Sequence, residues 1–242
     1  MILITALTDT RVMAAQQKVD KAAGRRFIVF GLIVLAFWLS GVSGAIAFPQ
    51  TCFIDQARRL PKGASVTVTG IVTVPSGAFG SANLDAGFAI QDVTGGIYVT
   101  TQEPSSLQLG DTVKVTGRLV NDGHGQQMLH LTDWYRSQRP LLPISPRVTS
   151  TAQAGLVLDG QMVTLRGQIS QPLKDDAPYG DRLWLQDETG EIQIYIAKST
   201  DITPAELPYL TVGQMIEVTG FSSQFDESDE VMPRSRADLI AR

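Results

Sequence analysis

The chain has 242 residues, 43 % of them apolar and 18 % charged, which is too apolar for a disordered tail. That length holds one large or two small domains beside a targeting segment. The balance of 20 basic and 24 acidic residues, net −4, argues against a strongly basic nucleic-acid binder, while a single cysteine, Cys52, excludes an intrachain disulfide framework or a CxxC site. Two histidines, His124 and His130, leave little for a metal cage or a histidine-based triad.

The first residues differ from the rest. Arg11, Lys18, Lys21, Arg25 and Arg26 precede an uncharged apolar run, Phe27–Leu39, which is followed by small residues ending in Ala45-Ile46-Ala47. A basic start, an apolar core of this length and an A-x-A site describe a secretory signal peptide. The alternative is an uncleaved anchor, since Phe27–Phe48 is 22 uncharged residues, just long enough to span a bilayer. Residues 1–48 are therefore expected to be a signal peptide or membrane anchor. Either way the remainder lies outside the cytoplasm, periplasmic or held at the inner membrane, because positive flanks stay inside. Arg25-Arg26 resembles a twin-arginine signal, a pairing that chance also produces, and the long basic start hints at initiation from Met13. Cys52 follows Pro49-Gln50-Thr51, which is not a lipobox, so it reads as an unpaired thiol.

Three sequence blocks then repeat in order. VTVTG at Val66–Gly70 returns as VTLRG at Val163–Gly167, and FAIQDVTGGIYV at Phe88–Val99 returns as LWLQDETGEIQI at Leu183–Ile194. LGDTVKVTG at Leu109–Gly117 returns as VGQMIEVTG at Val212–Gly220; the three offsets are 97, 95 and 103 residues. Such self-similarity predicts two copies of one domain, residues 60–139 and 155–242. Between them, residues 140–154 form a connector, stiffened by Pro140, Pro143 and Pro146.

Within each copy the apolar residues alternate with period two, the pattern of half-buried strands. Phe88 and Ile90 pair with Ile97 and Val99 across Asp92–Gly95, and Leu183 and Leu185 with Ile192 and Ile194 across Asp187–Gly190. Val113 and Val115, with Ile216 and Val218, supply the next strand. A last hairpin turns at Asn121–Gly125 and at Gln224–Glu230. Thr203 and Pro204 mark a short helix start before the fourth strand of the second copy. Strand, hairpin, short helix and two strands is the element order of a five-stranded Greek-key barrel.

The pattern V-x-V-x-G, then Q-D-x-T-G inside a hairpin, then G-x-x-[VI]-x-V-T-G resembles the OB-fold. It is similar to tandem OB domains of exported bacterial proteins, including those beside secreted nucleases and in periplasmic sensor regions. The second copy also resembles the small periplasmic bacterial OB-fold stress proteins. The resemblance spans about 175 of the 242 residues and implies an all-β chain of two tandem five-stranded Greek-key OB barrels behind an N-terminal apolar signal or anchor helix. Its motif residues build turns and core, so it implies no catalytic residue.

OB barrels bind on the outer face of their second and third strands. With Leu183, Leu185, Ile192 and Ile194 inward, Arg182, Trp184, Gln186, Gln193 and Tyr195 share that face in the second copy, Trp184 opposite Gln193 and Tyr195 opposite Arg182. Two aromatics, a guanidinium and two amides make a stacking platform for a base, a sugar ring or a peptide. The first copy offers Tyr98, with Ala89, Gln91 and Thr100, a poorer platform. Packing of Trp184 and Tyr195 against the other barrel or the loop Lys174–Asp181 is the competing account.

From Pro140 to Arg242 there are eight basic and fifteen acidic residues, net −7, which works against phosphate binding unless the cations cluster. The run Asp226–Glu230 lacks the spacing of a calcium loop and reads as a solvated hairpin tip, and both histidines read as exposed loop residues. No G-x-S-x-G, P-loop, H-E-x-x-H or G-x-G-x-x-G is present. The expectation is an exported, non-enzymatic binding protein without cofactor or metal. It would recognise an extended polymer, single-stranded nucleic acid or oligosaccharide, on the second and third strands. The alternative is an interaction module docking onto an envelope or membrane protein, with residues 27–48 in the membrane if uncleaved.

Overall fold

The structure is a computed structural model that describes residues 49–139 and 141–242. The signal or anchor expected over residues 1–48 lies outside the described residues. Among the described residues no helix is long and apolar enough to cross a membrane.

The alternation at Val66–Val72 becomes β2 (Ser65–Val74), preceded by a two-residue strand, β1 (Gln50–Thr51), and a one-turn helix, α1 (Ile54–Arg58). The hairpin of the first copy is β3 (Phe88–Gln91) and β4 (Gly96–Thr100), followed by β5 (Thr112–Asn121) and β6 (Gln127–Arg136). Strand β2 pairs antiparallel with both β3 and β5, β3 with β4, and β5 with β6, while β4 and β6 pair in parallel, so the five strands close on themselves.

The second copy repeats this order. Strand β7 (Arg147–Val148) and helix α2 (Thr151–Leu158) precede β8 (Met162–Asp176), β9 (Gly180–Asp187), β10 (Gly190–Ala197), β11 (Met215–Phe225), β12 (Ser228–Met232) and a final β13 (Leu239–Ala241). Its closure uses the same pairings, with β10 and β12 parallel and β11 returning to β8. This is the Greek-key connectivity of an OB barrel. A cross-strand threonine pair recurs as well: Thr67 and Thr116 hydroxyls meet at 2.9 Å, as do those of Thr164 and Thr219.

Sequence reasoning missed both helices, because five and eight residues are too few to show a helical period. α2 also begins at Thr151, inside the stretch expected to be connector. Each helix covers one end of its barrel, with Ile54, Ala57 and Ala154 fully buried. The Q-D-x-T-G turn anchors it. One oxygen of Asp92 accepts from its own turn's Thr94 and Gly95 backbone, and the other accepts from the Ile54 N–H at 2.9 Å. Asp187 does the same for Thr189 and for the Thr151 N–H, at 2.7 and 2.8 Å. The expected helix at Thr203 is a single 3-10 turn, Pro204–Glu206, with the proline in its first turn.

The two barrels share a third apolar cluster, fed by Val74, Phe79, Tyr98 and Met128 from the first and Met162, Phe221 and Met232 from the second. Polar contacts reinforce it. The Met162 N–H donates to Gln91 Oε1 at 3.0 Å, Arg234 Nη1 to the Thr73 carbonyl at 3.0 Å, and Arg58 pairs with Asp159. Backbones touch where Gly96 meets Gly160: a Cβ on Gly96 would sit 1.7 Å from the Gly160 carbonyl oxygen, so only glycine fits.

Two outcomes follow. Partial burial opposes the charge of Asp187, but hydrogen bonds from Thr189 and Thr151 outweigh it and hold the carboxyl down to about 2. A depressed folded value contributes stability above the unfolded value and loses it as pH falls through the folded one. Urea titrations should therefore show stability dropping between about pH 4 and pH 2, and Asp187→Ala should flatten that slope. Gly96→Ala should cost about 2–3 kcal/mol in the same assay, whereas Gly95→Ala, whose added methyl meets only ordinary contacts, should cost less than about 1 kcal/mol.

Candidate binding cleft

Burying one face of the first barrel leaves a cleft of about 390 Å³ where the barrels meet. Its apolar floor is the shared cluster: the Phe221 ring centroid lies 6.0 Å from that of Phe79 and 6.2 Å from that of Tyr98. Tyr195, Met232 and Ala197 complete the floor, while Asp122, Asp176, Arg182, Gln193 and Glu230 supply the polar wall. The volume falls within the range of small-ligand sites.

The expected register on the second barrel holds: Trp184 pairs with Gln193 and Tyr195 with Arg182. Leu183, Leu185, Ile192 and Ile194 are buried, so their neighbours face outward. The outward residues do not share one site. Arg182, Gln193 and Tyr195 line the cleft, whereas Trp184, one strand beyond Gln193 and two residues beyond Arg182, and Gln186, beside the Asp187–Gly190 turn, do not. Trp184 is half-buried and Gln186 exposed.

Tyr98 is not on an open outer face. It is 1 % exposed, and Ala89, Gln91 and Thr100 are buried beside it, because the second barrel packs over this hairpin. The Tyr98 hydroxyl donates to Asp85 Oδ1 at 2.6 Å. Burial first, and the Asp85 carboxylate second, push the phenol far above its ordinary value, so Tyr98 stays protonated. Asp85 also accepts from the Thr100 and Ser81 hydroxyls at 2.5 and 2.8 Å and from the Gly87 N–H at 3.1 Å, which fixes the loop carrying Phe79 and Leu84. Leu84 is 70 % exposed at the cleft mouth with φ +54°, a left-handed conformation that leucine adopts only under constraint.

Glu230 is the site residue that sequence reasoning placed wrongly. Expected in a solvated tip, it lies on β12, 6 % exposed, because the turn is only Asp226-Glu227 and the strand resumes at Ser228. Gln193 Nε2 donates to its Oε2 at 2.9 Å, and its Oε1 accepts no hydrogen bond among the described residues. Burial pushes the carboxyl up to about 7 against the Gln193 hydrogen bond and the Arg182 charge, with Asp122 and Asp176 pushing the same way as burial. Arg182 donates Nη2 to Asp176 Oδ2 at 3.0 Å, and its buried Nε finds no partner. Burial and the Asp176 carboxylate likewise raise Tyr195 to about 12.

His124 departs from the exposed-loop expectation. Its ring stacks on Phe225 at 4.7 Å, and its Nδ1 lies 2.8 Å from Asp226 Oδ1, which joins the two expected hairpin tips, one from each barrel. His130 is exposed as expected, but it stands within strand β6 and not in a loop. No group of three or more histidine, cysteine or carboxylate side chains that could hold a metal occurs among the described residues.

Glu230 predicts an inverse acid dependence. Between about pH 4.5 and pH 7 the folded state holds a proton that the unfolded chain releases, so stability falls as pH rises through that window. Glu230→Gln should remove this slope and raise the stability of the full chain at pH 8 by on the order of 3 kcal/mol in urea titrations.

No family model matches this chain, and no curated protein does. Among solved structures it is similar to asparaginyl-tRNA synthetase from Pyrococcus horikoshii, at 20 % identity and TM-score 0.33, over 38 % of this chain and only 22 % of that one. It is also similar to the OB domain of MM0293 from Methanosarcina mazei, at 18 % identity and TM-score 0.34, over 41 % of this chain and 86 % of that one. The hypothetical protein ygiW from E. coli is similar at 17 % identity and TM-score 0.30, over 36 % and 90 % of the two chains. Likenesses this low carry no argument. The OB connectivity rests on the strand order and register of each sheet.

Proposed function

We propose that the chain is a non-catalytic binding protein that takes a segment of oligosaccharide into the inter-barrel cleft and across the adjoining strand face. One observation carries the reading. Glu230, Gln193, Trp184 and Gln171 stand in register on four consecutive strands, so a single cross-strand row runs from the buried end of the cleft out to the half-buried indole. At about 4.8 Å per strand, carboxylate and indole stand about 10 Å apart, a span that about two sugar rings fill and one does not. Apolar rings with amide and carboxylate edges suit a sugar, whose faces stack and whose hydroxyls donate.

Charge favours oligosaccharide over single-stranded nucleic acid. The cleft wall carries Asp122, Asp176 and Glu230 against Arg182, which Asp176 already pairs. Arg166, the other cation that could cluster with it, is held by Glu217 at 2.5 Å. A phosphate chain would meet carboxylates without gaining free cations. The sequence of residues 27–48 supports an exported location, in the membrane if that segment is uncleaved. Two apolar side chains at the mouth, Leu84 and Tyr179, 70 % and 54 % exposed, favour a second reading in which an envelope protein docks a segment there.

Calorimetric titration of the full chain with N-acetylglucosamine trimer should give saturable binding, and single-stranded oligothymidylate should give none at physiological salt. Oligothymidylate binding that weakens steeply with salt would overturn the choice of polymer. Trp184→Ala should weaken the trimer by about tenfold, the size of one lost stacking contact. It should lower the urea midpoint far less than Leu183→Ala, which opens a cavity in the barrel core.

A further inference from the structure

A carboxylate that is 6 % exposed and lowers stability as it ionises needs a reason to be there. The internal repeat sharpens the question. In the first barrel the same parallel pairing joins Tyr98 to Met128, where the second joins Gln193 to Glu230. Tyr98 and Met128 are 1 % exposed and belong to the shared apolar cluster. A pair packed into the apolar cluster, its one hydroxyl satisfied by Asp85, therefore fits this fold position, and the second barrel places an amide and an acid there instead, lining the cleft.

The groups around Glu230 do not neutralise it. Gln193 on β10 satisfies Oε2 and leaves Oε1 without a partner. Asp122, after β5, is held by the His124 and Gln126 N–H groups at 2.8 and 3.1 Å. Asp176, at the end of β8, takes the Arg182 guanidinium at 3.0 Å and the Tyr195 hydroxyl at 3.3 Å. The one cation in the wall thus serves Asp176, and when all three acids are ionised the cleft carries a surplus of negative charge. The remainder of the lining is aromatic or apolar on one side, with Phe221, Tyr195 and Met232. A buried carboxylate with a free oxygen, beside ring faces, is a seat for an ammonium group carried on a ring.

We infer that the cleft selects an amino sugar with a free, protonated amino group, seated against Glu230 Oε1, over the same sugar with that nitrogen acetylated. The inference rests on the oligosaccharide reading above and narrows it to a substrate class. The ammonium donates to the unpartnered oxygen and offsets the charges of Asp122 and Asp176, while the sugar ring lies on the aromatic floor. An acetamido group brings no positive charge and adds bulk at the buried end.

The test is calorimetric titration of the full chain with glucosamine trimer and with N-acetylglucosamine trimer at about pH 7, repeated on Glu230→Gln. The expected result is at least about tenfold tighter binding of the amino trimer by the wild type, falling to within about twofold of the acetylated one in the variant. Equal or weaker binding of the amino trimer by the wild type would overturn the inference and leave the oligosaccharide reading standing. A preference that persists in Glu230→Gln would overturn the assignment to that carboxylate. Failure of both trimers to bind would sink the oligosaccharide reading and this one with it. The variant removes a charge that is unfavourable to folding, and the wild-type comparison decides the preference without it.

Discussion

The phenol of Tyr98 donates a 2.6 Å hydrogen bond to Asp85 at the edge of an apolar cluster drawn from both barrels. The position of the cleft depends on that buried pair. Asp85 is also the acceptor for Thr100, Ser81 and Gly87, so one carboxylate ties strand β4 to the loop that carries Phe79 into the cluster. A buried carboxyl of this kind is tolerable only when its oxygens are filled, and here five donors fill them, the Ser81 N–H being the fifth. Closing the first barrel's hairpin face in this way removes it as a binding surface and turns it into the floor of a site shared with the second barrel.

The repeat explains why the two copies divide the work. Each copy keeps the devices that make a barrel: the Thr–Thr pair between first and fourth strands, and the turn aspartate that also anchors the N-terminus of a capping helix. They differ where the third and fifth strands run parallel. Tyr98 and Met128 bury apolar surface there in one copy, and Gln193 and Glu230 place polar groups there in the other. Burial of apolar area against the second barrel stabilises the assembly, whereas ionisation of Glu230 in the polar pair lowers stability at the wall of the cleft.

Much of the fold was legible in the chain. Period-two alternation and the three repeated blocks placed the strands, and the Q-D-x-T-G turns predicted the pairing of Trp184 with Gln193 and of Arg182 with Tyr195, because a two-residue connection leaves only one register. The short helices were not legible, since Ile54–Arg58 has too few residues to show a period and is held by Asp92, 38 residues away in sequence. Of the candidate site, Arg182, Gln193 and Tyr195 were legible as outward neighbours of core residues. Glu230 was hidden in an acidic run that looks solvated, although the third block's offset of 103 residues runs close to the 102 separating it from buried Met128.

The sequence by itself determined what is local or repeated: strand positions, hairpin register, turn chemistry and an acidic surplus in the second copy. Tertiary structure alone decided that the outer face of the first hairpin is covered, that Tyr98 is buried and not available as a platform, and that the cleft takes in Tyr195 but not Trp184. It also decided that Glu230, Asp176 and Asp122 converge on one cleft. The physical reason is that alternation reports which side of a strand faces its own barrel and carries no information about what covers the other side. That depends on contacts between residues 71 and more positions apart, such as Gln91 with Met162 and Tyr98 with Phe221.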